Sequence, residues 1–255
     1  TGKYEKTIDS ISTYYTYDYN SGWIKQMSAS MTFGGIFPDS KKILCAVDST
    51  YPPPNQNGLQ HKRKIVIYDI ERDSVLSSYP ASYRGFAEPI FALAWMRLSP
   101  DGRFIAMVFH DLTQDNVWYE SLWSTDSMRE IQAVQFHNIG GDIYGLNEIK
   151  WSKDSKYVGF LSGIQYSGDH SVKVFDVPEW INSQGQSGKY VFTNVWDYDF
   201  TSDSKGIIIA PYTGSLYIRL VDIISSSVRA YFPTLTPQGG GGYITSGNHS
   251  TYISY

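Results

Sequence analysis

A tight turn joins two apolar runs in the stretch Leu98-Ser99-Pro100-Asp101-Gly102-Arg103-Phe104-Ile105-Ala106. Pro100 presets the φ angle of the first central position of this turn, and Gly102 supplies the positive φ angle that closes it. Asp101 lies between them and tolerates the bridge region of the Ramachandran plot. The stretch therefore predicts a tight β-hairpin.

The same pattern recurs along the chain: a short apolar run, a turn with a central Asp and a second apolar run. The copies are residues 36–44, 98–106, 151–159 and 200–208, with a weaker fifth copy at 245–253. Their anchor residues are Asp39, Asp101, Asp154, Asp203 and, in the fifth copy, Asn248. This spacing is close to the ~40–50-residue period of propeller blades, with some longer loops.

A second pattern alternates with the first. Alternating apolar residues lead into an Asp, a polar turn and another strand-like run. It occurs at residues 65–70, 172–177 and 217–223, at 120–125 without the Asp, and at 14–23 near the N-terminus. The N-terminal copy has no first half before it, and the hairpin around Asn248 has no second half after it. The two ends therefore complement each other as halves of one blade.

These patterns predict an all-β fold, a single five-bladed β-propeller over residues 1–255. Its blades are four-stranded and antiparallel, and N- and C-terminal strands that share one blade close the ring. The expected blade repeats are residues 29–80, 91–135, 146–192, 194–233, and 242–255 together with 11–28. Unrelated hairpins in a β-sandwich are the alternative, but the constant alternation of two patterns favours the propeller. Residues 178–182 are expected to form at most one helical turn.

At these residues the sequence resembles the WD40-like β-propeller superfamily, and its Ser-Pro-Asp-Gly hairpin is most similar to those of TolB-type and prolyl-oligopeptidase-type propellers. The resemblance implies a propeller fold over nearly the whole chain. The sequence has no Gly-His dipeptide, and Tyr-Asp, Phe-Asp or Val-Asp replaces the Trp-Asp pair, so the His–Ser–Trp–Asp network of WD40 repeats is not implied. Residues 1–255 include no hydrolase domain, so the resemblance does not imply peptidase activity either.

Composition bounds the class of function. The chain is 42% hydrophobic, 16% aromatic and 18% charged, which excludes a disordered acidic or basic protein. A net charge of −4 and scattered Lys and Arg residues argue against nucleic-acid binding, which needs a clustered basic surface. No apolar stretch reaches the ~20 residues of a membrane-spanning helix. The single cysteine, Cys45, lies in an apolar run and is expected to be a buried small hydrophobe.

Two features bear on the origin of the chain. A lone core thiol favours a reducing intracellular compartment, and the polar N-terminal residues form no signal peptide. The absence of an initiator Met favours a mature product or an excised recognition domain of a larger protein. The cellular location itself stays open.

Sequence motifs for catalysis are absent: there is no Gly-x-Ser-x-Gly elbow, no His-Glu-x-x-His, no Cys-x-x-Cys and no Walker loop. The recurrent Asp residues occupy equivalent turns, which is typical of turn stabilisation because a catalytic pair would break the repeat. The Asp residues of the second pattern have the same interpretation: Asp18, Asp69, Asp176 and Asp222. We therefore expect no catalytic residue, no cofactor and no metal ion, and we lean away from an enzyme.

Histidines gather on one face in this topology, because second-to-third-strand loops and blade-to-blade loops emerge together. Those loops hold His61, His110, His137 and His170. A metal or acid–base site is one interpretation, but most pairs of blades hold their loops too far apart to share an ion. A small-ligand or hydrolytic site in the axial pocket is the alternative function. Its polar groups would be Asp48, His110, Asp111 and Arg84.

The same face carries long, irregular loops. Residues 48–63 contain three consecutive prolines, which favour an extended polyproline II segment. Residues 79–89 and 136–145 hold aromatic residues in loops, and Tyr and Arg exposed together are what interface hot spots favour. The candidate binding residues are Tyr83, Arg84, Phe86, Pro52, Pro53, Pro54 and Tyr144.

The sequence therefore predicts a non-catalytic β-propeller binding scaffold, a protein–protein interaction module that uses its loop-rich face. A protein partner is expected and nucleic acid is not, while a small ligand stays open. The 21 Tyr residues also suit a carbohydrate-binding surface, as in five-bladed lectins, but the blades are too divergent to repeat one sugar site.

Overall fold

The structure of the protein is a computed structural model. It describes residues 16–18, 22–24, 29–51, 60–80, 91–111, 117–137, 148–162, 170–183, 188–211 and 217–233. Within these ranges the chain is almost entirely β-strand, with one short helix. Four sheets have four strands each, and a further sheet has two. The predicted all-β class is confirmed.

The strands follow one another in chain order. The N-terminal pair is β1 (Thr16–Asp18) and β2 (Gly22–Ile24). The first four-stranded sheet contains β3 (Ala29–Ile36), β4 (Lys42–Tyr51), β5 (Gln60–Asp69) and β6 (Ser74–Pro80). The second contains β7 (Phe91–Leu98), β8 (Phe104–Asp111), β9 (Val117–Ser124) and β10 (Arg129–His137). The third contains β11 (Ile149–Trp151), β12 (Tyr157–Ser162), β13 (Ser171–Asp176) and β14 (Lys189–Thr193). The fourth contains β15 (Asp197–Phe200), β16 (Gly206–Ala210), β17 (Tyr217–Asp222) and β18 (Val228–Pro233).

Each four-stranded sheet is an antiparallel meander, because its strands pair in chain order. The first strands of successive sheets contact one another: β3 contacts β7, β7 contacts β11 and β11 contacts β15. The sheets therefore stack with their first strands adjacent, which is how propeller blades pack. β1 and β2 form a separate antiparallel pair in which Asp18 lies opposite Gly22. The predicted fifth blade also needs residues 242–255, which lie outside the described residues.

The hairpin between the first and second strands is built in the same way in all four sheets. Its Asp carboxylate accepts a hydrogen bond from the backbone N–H two residues later. These bonds are 3.0–3.1 Å long and join Lys41 to Asp39, Arg103 to Asp101, Lys156 to Asp154 and Lys205 to Asp203. In three hairpins a hydroxyl also donates to the Asp, from Ser99, Ser152 and Thr201. The predicted turn-stabilising role of these carboxylates is confirmed.

The Asp residues of the second pattern also accept from backbone amides. Each takes a hydrogen bond from the N–H three residues later, donated by Arg72 to Asp69, by Glu179 to Asp176 and by Ser225 to Asp222. Three of the four predictions are thus confirmed. The side chain of Asp18 lies outside the described residues.

The residue after each hairpin Asp has a left-handed backbone, with φ angles of +57° at Ser40, +76° at Gly102, +60° at Ser155 and +59° at Ser204. Two of the serines join neighbouring sheets. The Asp101 N–H donates to Ser155 Oγ at 3.0 Å, and the Asp154 N–H donates to Ser204 Oγ at 3.4 Å. These bonds bring successive hairpins together on one side of the stack, which we call the hairpin face. The opposite side is the loop-rich face.

Gly102 marks the junction between the first and second sheets. Its positive φ angle was expected from the turn, but the structure adds a second requirement. A Cβ atom on this residue would lie 2.7 Å from Cδ of Pro38, in the first hairpin. Glycine therefore allows the two hairpins to approach closely where no serine hydroxyl is present.

Apolar cores fill the three junctions between the four sheets. Successive residues of a strand point to opposite neighbours. On β8, for example, Met107 packs toward the first sheet and Val108 toward the third. Cys45 is buried, its thiol donates to the Val66 carbonyl oxygen, and burial raises the pKa of the thiol. The prediction of a buried core cysteine is confirmed.

A six-residue helix, α1 (Val177–Asn182), follows β13, so the expectation of at most one helical turn is wrong. The Asp176 side chain caps it by accepting from the Glu179 N–H at 3.1 Å, and Pro178 sits in its first turn. Trp180 is fully buried and stacks on Phe175 with ring centroids 4.2 Å apart. Tertiary burial of this ring stabilises a helix that is too short to form alone.

Candidate functional site

The predicted binding residues fall in chain segments that connect described strands. Tyr83, Arg84, Phe86, Pro52, Pro53, Pro54 and Tyr144 lie outside the described residues. The strand ends that flank two of these connections are described. β4 ends at Tyr51 and β5 begins at Gln60, while β6 ends at Pro80 and β7 begins at Phe91. In a meander these ends lie opposite to the first hairpin, so both connections leave from the loop-rich end of the sheets.

The alternative axial residues are on second strands. Asp48 lies in β4, in register with Ser30 and Arg63, and its side chain is outside the described residues. His110 stacks on Trp118 with ring centroids 4.2 Å apart, and Asp111 is buried. Because His110 and Asp111 are successive residues of β8, their side chains point to opposite faces of the sheet. The structure therefore gives this pair no common face.

A polar network that the sequence did not reveal joins the first strands of the third and fourth sheets. Lys150 on β11 places its Nζ atom 2.8 Å from Asp197 Oδ1 and 3.2 Å from Glu148 Oε2. The same ammonium donates to the Tyr198 carbonyl oxygen at 2.5 Å. The side chains of Glu148 and Asp197 are 45% and 35% exposed, against 21% for Lys150. The network therefore presents carboxylates at the surface and holds the lysine between the strands.

The buried Tyr198 side chain connects this network to the backbone of the third sheet. Its hydroxyl accepts from the Lys150 N–H at 3.0 Å and donates to the Gly159 carbonyl oxygen at 2.6 Å. A Cβ atom on Gly159 would lie 2.6 Å from the Tyr198 ring, so only glycine leaves room for the phenol. The ring thus fixes the spacing of the third and fourth sheets.

The pKa directions of Lys150 and Glu148 indicate a structural ion pair. Burial lowers the pKa of Lys150, but hydrogen bonds and charges from Asp197 and Glu148 outweigh burial, and the pKa is raised. Burial raises the pKa of Glu148 against the attraction of Lys150. A lysine held in its protonated form is neither a nucleophile nor a base at neutral pH. The arrangement therefore suits structural pairing and not covalent catalysis.

A second unpredicted ion pair joins the second and third sheets. Lys173 Nζ on β13 lies 2.7 Å from Glu120 Oε1 on β9, with side chains 15% and 1% exposed. Burial raises the pKa of Glu120, and the charge of Lys173 opposes that rise. Neither residue carries a sequence signal, because each occupies an ordinary alternating position in a strand. Only the packing of two sheets brings them together.

Two further properties concern ions and membranes. The ranges that the structure describes hold no group of three or more His, Cys, Asp and Glu side chains placed to bind a metal ion. Over the same ranges, no helix has the length and hydropathy needed to traverse a lipid bilayer.

Sequence comparisons do not assign the chain to a family. No protein-family model matches the chain. A 1,3-beta-glucanosyltransferase of Saccharomyces cerevisiae is 25% identical over 145 residues, which cover 48% of this chain and 30% of that enzyme. The chain thus spans less than a third of that relative, and the match shows no family.

Solved structures share the fold. The β-propeller domain of the Trilobed protease from Pyrococcus furiosus, described as having an open velcro topology, matches with a TM-score of 0.51 and 12% identity. The match covers 81% of this chain and 58% of that one. An uncharacterized protein from Listeria monocytogenes also gives a TM-score of 0.51, with 8% identity over 80% of this chain and 54% of that one. The likeness to the Trilobed protease domain shows the predicted β-propeller fold.

Proposed function

We propose that the protein is a non-catalytic β-propeller scaffold that binds a protein partner through its loop-rich face. The contact surface is formed by Tyr83, Arg84, Phe86, Pro52, Pro53, Pro54 and Tyr144. Tyr and Arg in this set are the residue types whose truncation commonly weakens binding most, because they bury large areas and donate several hydrogen bonds.

The asymmetry of the two faces is the observation that carries this proposal. On the hairpin face the connections between first and second strands are tight and alike, with their carboxylates satisfied inside the turn. On the loop-rich face three of the connections are longer, over residues 52–59, 81–90 and 138–148. Long loops on a rigid scaffold are where binding residues concentrate.

Rigidity supports the scaffold role. Hydrogen bonds cross from the second sheet to the third and from the third to the fourth, and a buried ion pair reinforces the second junction. A stack held in this way presents its loops at fixed separations. Fixed separation favours binding, because less ordering entropy is lost when a partner docks.

The proposed scaffold is a five-bladed ring closed by a blade shared between residues 11–28 and 242–255. The pairing of β1 with β2 supports this, since it supplies half of such a blade. The far side of the fourth sheet also supports it: Ile218 and Leu220 are half-buried there and Phe232 is 41% exposed. Equivalent apolar faces at the inner junctions are buried, whereas this face is only partly covered.

Paired variants test the binding proposal. The partner is captured from the native source on the immobilised chain, and its affinity is measured for Tyr83→Ala/Arg84→Ala. We expect affinity to fall by roughly 30-fold or more, about 2 kcal/mol, with unchanged thermal unfolding. The matched control is Lys41→Ala/Lys205→Ala in two hairpins of the opposite face, which should bind as the unaltered chain does. Loss of affinity in the control pair alone would show that the chosen face is wrong.

A further inference from the structure

Exposed aromatic side chains break the repeat at the loop-rich end of the fourth sheet. Tyr217 begins β17 and Tyr231 lies near the end of β18, and their side chains are 48% and 61% exposed. The two rings meet edge to face with centroids 6.2 Å apart. Counted from the hairpin Asp, the positions equivalent to Tyr231 in the first three sheets hold smaller side chains, namely Ser78, Ala133 and Val191. The tyrosine pair is therefore a feature of the fourth sheet and not of the repeated framework.

Trp196 extends this aromatic surface to the first strand of the sheet. It directly precedes β15, is 49% exposed, and its N–H donates to the Ala210 carbonyl oxygen at 2.8 Å. The β15–β16–β17 register then places Trp196 in the same cross-strand row as Tyr217, so both side chains share one face of the sheet. The His170 ring lies 6.4 Å from the Trp196 ring, which shows that this face is turned toward the third sheet. We call Trp196, Tyr217 and Tyr231 the aromatic row, with Trp196 at its inner end.

The spacing within the aromatic row suits an extended chain. Trp196 and Tyr217 are two strands apart, which is about 10 Å at the usual separation of neighbouring strands. A segment in the polyproline II conformation repeats every three residues over about 9 Å, so its side chains three residues apart point the same way. One such pair of side chains would therefore reach both rings.

The inner end of the aromatic row lies beside an excess of negative charge. The adjoining polar network sets the partly exposed carboxylates of Glu148 and Asp197 against the ammonium of Lys150. Asp199 and Arg97 add one charge of each sign to these surroundings. Among the described residues here, the acidic groups thus outnumber the basic ones by one. This end of the row therefore attracts a cation.

The tyrosine end has the opposite polarity. Arg219 lies opposite Tyr231 in register, and its Nη2 atom donates to the Thr193 carbonyl oxygen at 2.9 Å. Over the described part of the chain, no carboxylate pairs with this guanidinium. A basic side chain of a ligand is therefore repelled from the tyrosines and drawn to Trp196, whose indole is the most favourable ring for a cation.

We propose that the aromatic row docks an extended segment of the protein partner that carries a lysine or arginine three residues from a large apolar side chain. The cation rests on the Trp196 indole beside Glu148 and Asp197, and the apolar side chain packs against Tyr217 and Tyr231. A free cation would leave the tyrosines unused, and a neutral sugar would not use the excess charge at the inner end. The inference rests on the proposed function, because it assigns a ligand chemistry to a part of the loop-rich face that the sequence did not single out.

The chain offers a matched control. Glu148→Gln/Trp196→Ala removes one negative charge and one exposed apolar side chain from the inner end of the row. Glu71→Gln/Leu76→Ala makes changes of the same kind on the first sheet, where both side chains are exposed. Because the two pairs change the net charge equally, a loss of general attraction for basic peptides would appear in both.

A selected peptide library tests the inference on the full chain. Random dodecapeptides on phage are first depleted on the Glu148→Gln/Trp196→Ala variant and then selected on the unaltered chain. We expect the survivors to place Lys or Arg three residues from Leu, Phe, Tyr or Pro. Synthetic copies should bind roughly 10-fold or more weakly to Tyr217→Ala/Tyr231→Ala, and within about 2-fold of the unaltered chain to the control pair.

Three results would overturn the inference: no surviving peptide, survivors without that spacing, or equal weakening by the control pair. Thermal unfolding of each variant is measured alongside, and unchanged melting is expected because the altered side chains are exposed. Tyr217→Phe/Tyr231→Phe keeps both rings and should retain the affinity within about 3-fold. A loss as large as that of the alanine pair would contradict the proposed packing on the rings.

The Tyr83→Ala/Arg84→Ala variant separates this inference from the proposed function. It should bind the selected peptides as the unaltered chain does, because its changes lie outside the aromatic row. The captured partner should lose affinity for this variant and also for Glu148→Gln/Trp196→Ala. Affinity lost in the first variant and kept in the second would overturn the role of the aromatic row and leave the proposed function standing.

Discussion

Ser155 shows how one side chain fixes the distance between two sheets. It holds a left-handed backbone at φ +60°, which costs a non-glycine residue about 1 kcal/mol. Its hydroxyl is the acceptor for the Asp101 N–H of the neighbouring sheet. The inter-sheet bond offsets the strain, because a protein hydrogen bond contributes about 1 kcal/mol net.

We expect Ser155→Ala to destabilise the protein by about 1–2 kcal/mol more than Ser40→Ala does. Both substitutions place alanine at the same left-handed turn position. Of these two serines, Ser155 alone accepts an inter-sheet hydrogen bond within the described residues. Urea unfolding of the two variants measures the difference, and equal losses would show that the hydroxyl contributes nothing across the junction.

The hydrogen bonds of some residues could be predicted from the sequence, and those of others could not. The hairpin carboxylates at Asp101 and Asp154 could be interpreted from the sequence because repetition at equivalent turns implies a local hydrogen bond. The bonds to Ser155 and Ser204 could not, since each depends on which residue the next sheet places opposite. Lys150 is unreadable for the same reason: its partner Asp197 belongs to another sheet.

The positions of the strands could be predicted from the sequence, because alternation of apolar residues and turn residues are local signals. Their antiparallel order within each sheet followed from the short connections. The helix was underestimated because its stability comes from Trp180, which is buried beside Phe175 in a core shared between sheets. Local propensity around Pro178 gave no sign of that burial.

The contact between β9 and β13 contains the buried Glu120–Lys173 pair. We expect Glu120→Ala to cost about 3 kcal/mol, because it leaves the Lys173 charge buried without its partner. The double variant Glu120→Leu/Lys173→Met should recover most of that loss, since an apolar pair needs no compensation. Urea unfolding measures both.

The exposed Lys41–Glu71 pair, 3.1 Å long, is the control for this element. Glu71→Ala should cost less than about 1 kcal/mol, because solvent screens a surface ion pair. A similar cost for Glu120→Ala would mean that the buried pair adds nothing to the β9–β13 contact.

Closure is a property of the whole molecule. Ile43, Cys45 and Val66 face away from the second sheet and are nevertheless buried, so the first sheet is covered on both sides. The proposed shared blade would supply that cover. Its C-terminal half could be anticipated from the sequence only by symmetry, because the fifth copy of the hairpin carries Asn248 in place of Asp.

We expect deletion of residues 1–28 to remove most of the stability of the ring. Exposing three buried apolar side chains costs about 5 kcal/mol, and a domain of this kind is stable by only about 5–15 kcal/mol. The urea midpoint should therefore fall sharply, whereas deletion of residues 1–10 alone should leave it unchanged. An unchanged midpoint for the longer deletion would favour an open arrangement of blades.

The binding face is tested most directly by amide hydrogen exchange on the complex with the captured partner. The account predicts slower exchange on binding in residues 52–59, 81–90 and 138–147, all on the loop-rich face. The hairpins at residues 38–41 and 202–205 should exchange at the same rate with and without partner. Protection confined to the hairpins, with the long loops unchanged, would contradict the proposal that this propeller binds through its loop-rich face.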